Sequence, residues 1–320
     1  MALTQRTATA LLTTGKGIFV ADEYVGAMLE REASGTPGKT LAGYVDLVLA
    51  TPGVENWLSG VLMTADTFAQ AGREAAARQQ AVQIGVRMDV ELTRGDAGDD
   101  SDQARSQLAD HAAAGATFVE WRANLDPADV ERGSSHVDAM ALARGAALSQ
   151  SEEILPLLTI AMPDLSSHSA AVTQAVTGNA LNALFAELTR LAVDTSRVLL
   201  RINMIMAGDS HSVTTAPADV ARATLTVITA SVPNDVPGVV FLSGGQPLDR
   251  AYANLSAISS LAREQGHPWR FTFAFARSLV EGSVHSWCNG ADEAQLQHEL
   301  IESWRAASQR PSSSVSAFRA

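Results

Sequence analysis

Eight short apolar runs recur along the chain, and each is bounded by loop or helix signals. They lie at residues 17–23, 59–64, 83–89, 117–123, 154–160, 197–203, 238–244 and 270–276. Near-continuous apolar runs of this length are typical of strands buried on both faces, as parallel sheets require. Between them lie alanine-rich stretches with apolar residues three to four positions apart, a spacing that predicts helices, for example at 66–82, 179–193 and 218–232.

This alternation of strand and helix, repeated eight times, predicts an α/β fold, a TIM (β/α)8 barrel. An open doubly wound sheet usually has fewer strands. Because no low-complexity linker separates the first strand from the eighth, we expect one barrel domain over residues 1–308. The serine-rich residues 309–320 are expected to form a flexible C-terminal tail.

Polar residues interrupt the apolar runs at their carboxyl ends, where TIM barrels carry their active sites. The spacing of two places Arg87 with Asp89, and Glu120 with Arg122, on the same side of their strands. Charges inside apolar strands are costly unless they are paired or functional. We therefore predict one shared site rather than unrelated ion pairs, built from Asp22, Thr64, Arg87, Asp89, Glu120, Arg122, Thr159, Arg201, Asn203, Ser243 and Arg277.

The turns after the seventh and eighth runs give the strongest local signal. Ser243, Gly244 and Gly245 stand at one strand-to-helix turn, and Arg277 stands at the next. Barrels often bind phosphate here through backbone N–H groups and a helix N-terminus, and a guanidinium adds a bidentate partner. The pattern predicts a site for a phosphate or carboxylate.

Charge and composition narrow the choice of partner. The net charge of −12 and the pI near 5.0 disfavour a nucleic-acid surface. No apolar run approaches the roughly 20 residues that span a bilayer, so no membrane contact is expected. The single cysteine, Cys288, and the lack of an export signal are consistent with a cytoplasmic protein. No cofactor is expected.

Six segments together carry a resemblance to a known family. They are GKGIFVADE, GVRMDVE, GATFVEWRANL, RVLLRINM, GVVFLSGGQPLDRAYANLSAI and FTFAFARSLVEGSVHSW. Their order and spacing resemble those of the class I fructose-bisphosphate aldolases over most of the chain. The resemblance implies a barrel fold, a cytoplasmic location and a small anionic substrate, and it makes assembly into a homo-oligomer an expectation.

The resemblance also implies roles for residues that match the family pattern. It makes Asp22 a central acid/base carboxylate, carries over Asp89, and makes Arg122 a substrate-binding cation. It assigns the grip on the C1 phosphate to Ser243, Gly244 and Arg277.

The other phosphate end of the family site is altered in this sequence. Tyr24 and Ala27 stand where the family has serines, and Arg31 remains. The match therefore implies one intact anion subsite and one damaged subsite.

The catalytic lysine of the family is missing. Arg201 stands at the Schiff-base position, Glu120 and Arg87 replace two further lysines, and Thr159 replaces an acid. A Schiff base needs an amine that can lose its proton, whereas a guanidinium stays protonated with a pKa above about 12. The two lysines of the chain, Lys16 and Lys39, are both expected away from the barrel mouth.

Three functions remain open at this point. In the first, a lyase or isomerase acts on a small phosphorylated or carboxylated carbonyl compound, with Asp22, Glu120 and Arg201 as catalytic residues. In the second, Asp22, Asp89 and Glu120 hold a divalent metal. In the third, an Arg201–Glu120 pair closes a non-catalytic pocket that binds a metabolite or partner. The loop histidines His168 and His211 are further candidates for proton transfer. The predicted substrate-binding residues are Arg31, Arg87, Asp89, Arg122, Thr159, Asn203, Ser243, Gly244 and Arg277.

Overall fold

The strands close into a parallel barrel in the order β1 to β8, as the sequence predicts. The structure is a computed structural model that describes residues 2–33, 38–78, 81–94, 98–125, 135–162, 168–207, 215–275 and 277–309. The strands are β1 Gly17–Ala21, β2 Leu58–Met63, β3 Gln83–Met88, β4 Phe118–Asn124, β5 Leu155–Ala161, β6 Leu199–Asn203, β7 Gly238–Leu242 and β8 Arg270–Phe275.

Helices follow the strands and cover the outside of the barrel. They are α1 Leu3–Leu11, α2 Glu23–Ala33, α3 Leu41–Ala50, α4 Ala65–Arg78, α5 Gly98–Ala113, α6 Ser135–Ser151, α7 Ala170–Arg190, α8 Pro217–Ser231, α9 Leu248–Glu264, α10 Arg277–Cys288 and α11 Glu293–Gln309. Short 3-10 turns occupy Val54–Asn56, Val90–Thr93 and Thr195–Arg197.

Alternation along each strand divides the apolar side chains into two groups. Odd and even positions point to opposite faces, so one group fills the barrel and the other packs under the helices. The interior group includes Leu62, Phe118, Leu157 and Leu199, together with Leu11 of α1. Helix α1 therefore closes the amino-terminal end of the barrel and leaves the carboxyl-terminal end open.

The Phe118 ring fills the lower interior because glycines make room for it. A Cβ atom added to Gly85 would come within 2.2 Å of that ring, and one added to Gly60 would meet Leu11 at 2.6 Å. Polar side chains begin one layer above, at the level of Arg87 and Glu120, which are register partners on β3 and β4.

The first predicted strand is too long at its carboxyl end. It was expected to reach residue 23, but β1 ends at Ala21 and helix α2 begins at Glu23. Asp22 Oδ1 accepts hydrogen bonds from the amides of Tyr24 and Val25 at 3.1 and 3.3 Å, which starts the helix.

Two further observations bear on the ends and the surface of the molecule. Residues 310–320, and with them almost all of the predicted tail, lie outside the described residues. Among the described helices, none combines the length and the apolar character that a membrane span needs.

Candidate active site

A cavity of about 270 Å³ opens at the carboxyl ends of the strands. We call it the main cavity. It is lined by Asp22, Tyr24, Arg122, Ala161, Met162, Arg201, Asn203, Leu242, Ser243, Gly244, Gly245 and Ala274. Two arginines and one aspartate make the lining net positive, so the cavity is suited to a small anion.

The loop that follows β7, Ser243–Gly245, forms one wall of the main cavity. Gly244 and Gly245 have φ angles of 58° and 83°, in the left-handed region that favours glycine. Within the described part of the chain, neither glycine amide donates a hydrogen bond to another group. These two donors are therefore available to a ligand, and the binding of an anion by them stays a prediction.

Two residues that sequence reasoning missed hold this loop in place. The side-chain amide of Gln246 donates to the Ser243 carbonyl at 2.8 Å, and Asn254 Nδ2 donates to Gln246 Oε1 at 2.7 Å. Both side chains are buried. A polar pair eight residues apart across a helix start was the only signal in the sequence.

Asp22 follows β1, lines another part of the cavity wall and is 4% exposed. Burial raises the pKa of its carboxyl, while the positive charges of Arg87 and Arg201 and a backbone hydrogen bond from Val25 limit the rise. A carboxylate with a raised pKa is a better proton acceptor than an ordinary surface aspartate.

Glu120 lies below the main cavity and binds two arginines at once. Its Oε1 accepts from Arg201 Nη1 at 2.5 Å and from the Thr159 hydroxyl at 2.6 Å, and its Oε2 accepts from Arg87 Nε at 2.7 Å. We call Arg87, Glu120 and Arg201 the ion triad. Glu120 and Thr159 are fully buried and line neither of the two cavities at the barrel mouth.

The electrostatics of the triad keep Glu120 ionised. Burial raises its pKa, but Arg201, Arg87 and the hydrogen bond from Thr159 outweigh burial and hold the pKa at about 2. A carboxylate in this state neither takes up nor releases a proton near neutral pH. Glu120 was predicted to be catalytic, and the geometry instead makes it the counterion of two guanidinium groups.

Arg201 differs from Glu120 because it reaches the cavity wall. It is 2% exposed, and among the described residues its buried Nε has no hydrogen-bond partner. A buried unpaired donor costs about 1–3 kcal/mol, so a ligand atom that accepts this hydrogen bond would gain from it.

Arg122 and Asn203 complete the main cavity. Arg122 Nε donates to Asn124 Oδ1 at 3.0 Å, and within the described residues no carboxylate pairs with Arg122. Asn203 Oδ1 accepts from the amide of Met162 at 2.9 Å, which joins the end of β6 to the end of β5. Arg122 is therefore a cation that remains available to substrate.

A second, more open cavity of about 570 Å³ adjoins the first. We call it the side cavity. Tyr24 and Arg122 belong to the walls of both cavities. The predicted substrate residues Arg87 and Asp89 face this cavity, where Asp89 also accepts a hydrogen bond from the amide of Glu91 at 3.0 Å. The full lining is Glu23, Tyr24, Thr64, Ala65, Arg87, Met88, Asp89, Val90, Arg122 and Asn124.

Arg31 is not brought to the site. Its side chain is 70% exposed on α2, beside Glu32, and it lines neither cavity. Residue 31 follows Tyr24 by seven positions, which is two helical turns, so it lies about 10 Å farther from the mouth. The structure therefore does not bring Arg31 to either cavity, contrary to its expected place, and its binding of substrate stays a prediction.

The remaining predicted site residues lie partly or wholly outside the described residues, or away from the two cavities. Arg277 opens helix α10 next to β8, as predicted, but its side chain lies outside the described residues, as does His211. His168 is half-buried just before α7 and lines neither cavity.

Both lysines lie far from the mouth. Lys16 precedes β1 and donates to the carbonyl of Glu55 at 2.6 Å, at the amino-terminal end of the barrel. Lys39 lies over the ring of Trp287, with its Nζ 4.2 Å from the ring centre. Neither side chain lines the main cavity.

The three carboxylates suggested for a metal are kept apart. Asp22 lines the main cavity, Asp89 lines the side cavity, and Glu120 is bound by the arginines below them. In the described ranges, no three His, Cys, Asp or Glu side chains form a group that could hold a metal ion. The metal-dependent alternative is therefore wrong for this set of residues.

Comparison with known proteins gives a consistent match. The family model "Glycolytic: Fructose-bisphosphate aldolase class-I" matches residues 3–316. A fructose-bisphosphate aldolase of Plasmodium falciparum (isolate K1 / Thailand) is 31% identical over 314 residues, covering 92% of this chain and 86% of the relative. Cytosolic fructose-bisphosphate aldolase 5 of Arabidopsis thaliana is 33% identical over 300 residues, covering 88% and 82%.

A solved structure agrees with this match. It is a ternary complex of fructose-bisphosphate aldolase from Plasmodium falciparum with TRAP and a small-molecule inhibitor. The TM-score is 0.81 at 28% identity, and the alignment covers 96% of this chain and 93% of that chain.

Proposed function

Because this chain belongs to the class I fructose-bisphosphate aldolase family, we propose that it acts on a small carbonyl compound with one phosphate or carboxylate group, without a Schiff base. The observation that carries this proposal is Arg201. It occupies the cavity wall with an unpaired Nε, is anchored by Glu120, and shares the cavity with Asp22 and the Ser243–Gly245 loop.

The substrate anion binds at the loop after β7. The free amides of Gly244 and Gly245 and the start of α10 supply donors, and Arg277 adds a guanidinium. Arg122 lies across the cavity and donates hydrogen bonds to another oxygen of the substrate that carries partial negative charge.

The carbonyl group of the substrate faces Arg201. A guanidinium cannot act as a nucleophile, but it can donate a hydrogen bond to a carbonyl oxygen and stabilise the negative charge that develops there. Glu120 and Thr159 fix the position of Arg201 without entering the cavity.

Asp22 moves the proton. Its carboxylate takes a proton from the carbon next to the carbonyl, the C–H electron pair forms the enolate double bond, and the carbonyl oxygen becomes negative beside Arg201. For isomerisation, the hydroxyl proton on that carbon passes to the former carbonyl oxygen, Asp22 returns its proton to the former carbonyl carbon, and the hydroxyl oxygen becomes the new carbonyl oxygen. For cleavage, Asp22 instead takes the proton of a β-hydroxyl, the O–H electron pair forms a new carbonyl, the bond between the α and β carbons breaks, and its electrons form the enolate, whose carbon then takes up the proton. The first reaction is that of an isomerase, and the second is that of a lyase.

A second candidate function has an observation of its own. The ion triad fills the position of the family's catalytic lysines with a network in which Glu120 binds both arginines. A non-catalytic homologue that binds a metabolite would have the same network. It would bind phosphate in the main cavity but move no proton.

Solvent exchange separates these functions. We expect the protein to exchange a carbon-bound proton of a three-carbon ketose monophosphate with deuterium in heavy water, observed by NMR. Asp22→Asn should abolish exchange, whereas Asp194→Asn should not. Asp194 is a matched control because it also caps a helical turn, but near the amino end of β6.

Borohydride reduction in the same sample tests whether any lysine forms a Schiff base with the substrate. We expect no reduced adduct, because no lysine lines the cavity. An adduct mapped to Lys16 or Lys39 by peptide mass spectrometry would overturn the proposal. Phosphate binding without any exchange would favour the non-catalytic homologue.

We also propose a cytoplasmic location. The single cysteine of the chain and the cytosolic relative from Arabidopsis thaliana support it.

A further inference from the structure

Tyr24 and Arg122 line both cavities at the barrel mouth, so the two cavities adjoin each other at these side chains. A ligand whose anionic end is held by the Ser243–Gly245 loop can therefore extend its other end into the side cavity. The chemistry of the side cavity then decides what that second end can be.

Helix starts around the side cavity are already occupied by the protein's own side chains. Asp22 accepts from the first-turn amides of α2, and the Thr64 hydroxyl accepts from the Thr67 amide at the start of α4 at 3.2 Å. The loop after β7 differs, because its glycine amides are free in the described chain. Among the described residues, the free backbone donors are thus found at the main cavity, and Arg122 is a cation that both cavities share.

The guanidinium of Arg87 is also committed. Its Nε binds Glu120 at 2.7 Å, and its Nη1 binds both carboxylate oxygens of Glu23 at 2.8 Å. Although burial opposes it, the two carboxylates raise the pKa of Arg87 above its ordinary value. The charge of Arg87 is therefore neutralised within the protein.

Apart from Arg122, which it shares with the main cavity, the described lining of the side cavity offers no uncompensated positive charge to an incoming group, because Arg87 is paired with Glu120 and Glu23. The exposed carboxylate of Asp89 accepts hydrogen bonds, the amide of Asn124 donates them, and the Tyr24 ring, 60% exposed, covers carbon atoms. Hydroxyl groups, which both donate and accept, fit this lining. A second phosphate would meet the carboxylates of Glu23 and Asp89.

We propose that the side cavity binds the uncharged, hydroxylated end of the substrate, and that Glu23 is the residue that excludes a second phosphate. This inference rests on the proposed function, since it places the anionic end in the main cavity. The substrate then carries one anionic group at one end and hydroxyl groups at the other end.

The test compares hexane-1,6-diol monophosphate with the corresponding bisphosphate by titration calorimetry. These probes differ only in the second phosphate. The native protein should bind the bisphosphate no more than about two-fold tighter, the factor that two equivalent ends provide. Glu23→Gln frees Arg87 Nη1 and removes a negative charge, so the affinity ratio should shift by at least about ten-fold toward the bisphosphate.

Glu91→Gln is the matched control, because Glu91 is an exposed glutamate paired with an arginine but lies outside both cavities. The ratio of its affinities for the bisphosphate and the monophosphate should equal that of the native protein. The inference is overturned if the native protein strongly prefers the bisphosphate, or if Glu23→Gln leaves the ratio unchanged while both probes bind. Failure of both probes to bind would instead overturn the proposed function, and this inference with it.

Discussion

Glu120 holds two guanidinium groups at the floor of the main cavity, and this single carboxylate decides how the charges of the site are distributed. It neutralises Arg87 and Arg201 from below, which leaves Arg122 and the loop after β7 to receive an anion. Asp22 is the one acidic side chain of the main cavity lining. The sequence placed all of these charges at one end of the barrel, but it did not show which of them pair with each other.

The ion triad should dominate the effect of substitutions at these positions. Glu120→Gln leaves the buried Arg201 guanidinium without its carboxylate and leaves Arg87 with Glu23 alone, and it should cost about 3–5 kcal/mol in the free energy of unfolding. Arg201→Met combined with Glu120→Gln should recover most of that loss, since Arg87 keeps Glu23. Chemical denaturation of both single variants and the double variant measures the coupling. Additive losses would show that the triad does not act as a unit.

The loss of stability at low pH is a second test of the contribution that Glu120 makes to the free energy of unfolding. Its pKa is lowered to about 2, so the folded state binds the proton more weakly than the unfolded state does. The stability it contributes is present above the unfolded pKa and is lost as the pH falls toward 2. The Arg201→Met/Glu120→Gln protein should therefore lose less stability than the native protein between about pH 4.5 and 2. Equal acid sensitivity in urea denaturation would contradict the lowered pKa.

Asp22 should behave in the opposite sense. Burial raises its pKa, so its charged form is less stable in the folded state, and the penalty is present as the pH rises above the folded pKa. Asn keeps the capping oxygen but carries no charge. Asp22→Asn should therefore gain about 0.5–2 kcal/mol at neutral pH, with the gain shrinking as the pH falls, while proton exchange is lost. A destabilised variant would mean that Asp22 is a structural ion-pair partner.

At the scale of elements, the loop between β7 and α9 carries the proposed anion donors. Its geometry depends on left-handed backbone at two glycines and on Gln246, which Asn254 holds in place. The SGG sequence was sufficient to predict the turn, and its role in binding an anion stays a prediction. The supporting pair could not be predicted, because its contact depends on how α9 packs beside the loop.

Backbone strain at this loop can be separated from its effect on binding. Gly245→Ala forces a left-handed alanine and should cost about 1–2 kcal/mol, with weaker phosphate binding because the neighbouring amides move. Gly266→Ala is the matched control. It also has a positive φ, 73°, and open space for a Cβ, but it follows α9 far from the mouth. Both variants should lose similar stability in thermal melting, and only Gly245→Ala should lose phosphate affinity. Equal affinities would remove the loop from the site.

For the whole molecule, the hydrophobic pattern alone was sufficient to predict the closed barrel. Each apolar run became a strand, because a parallel strand buried on both faces has no room for a polar stretch. The Arg201–Glu120 pair was among the predicted alternatives, but the pairing of Arg87 with Glu120 was not predicted, since it depends on the register between neighbouring strands. The misplacement of Arg31 has a similar origin: a family match gives a residue's position along α2 but not its distance from the cavity in this fold.

Titration of inorganic phosphate against three proteins tests the central claim, that an anion site at the β7 and β8 turns operates without a lysine. The native protein should bind one phosphate, and Arg277→Ala should weaken it by about 1.5–3 kcal/mol, roughly 10- to 150-fold. Arg31→Ala, which removes an exposed arginine outside both cavities, should bind like the native protein. An unchanged phosphate affinity in Arg277→Ala would contradict the account and place the site elsewhere.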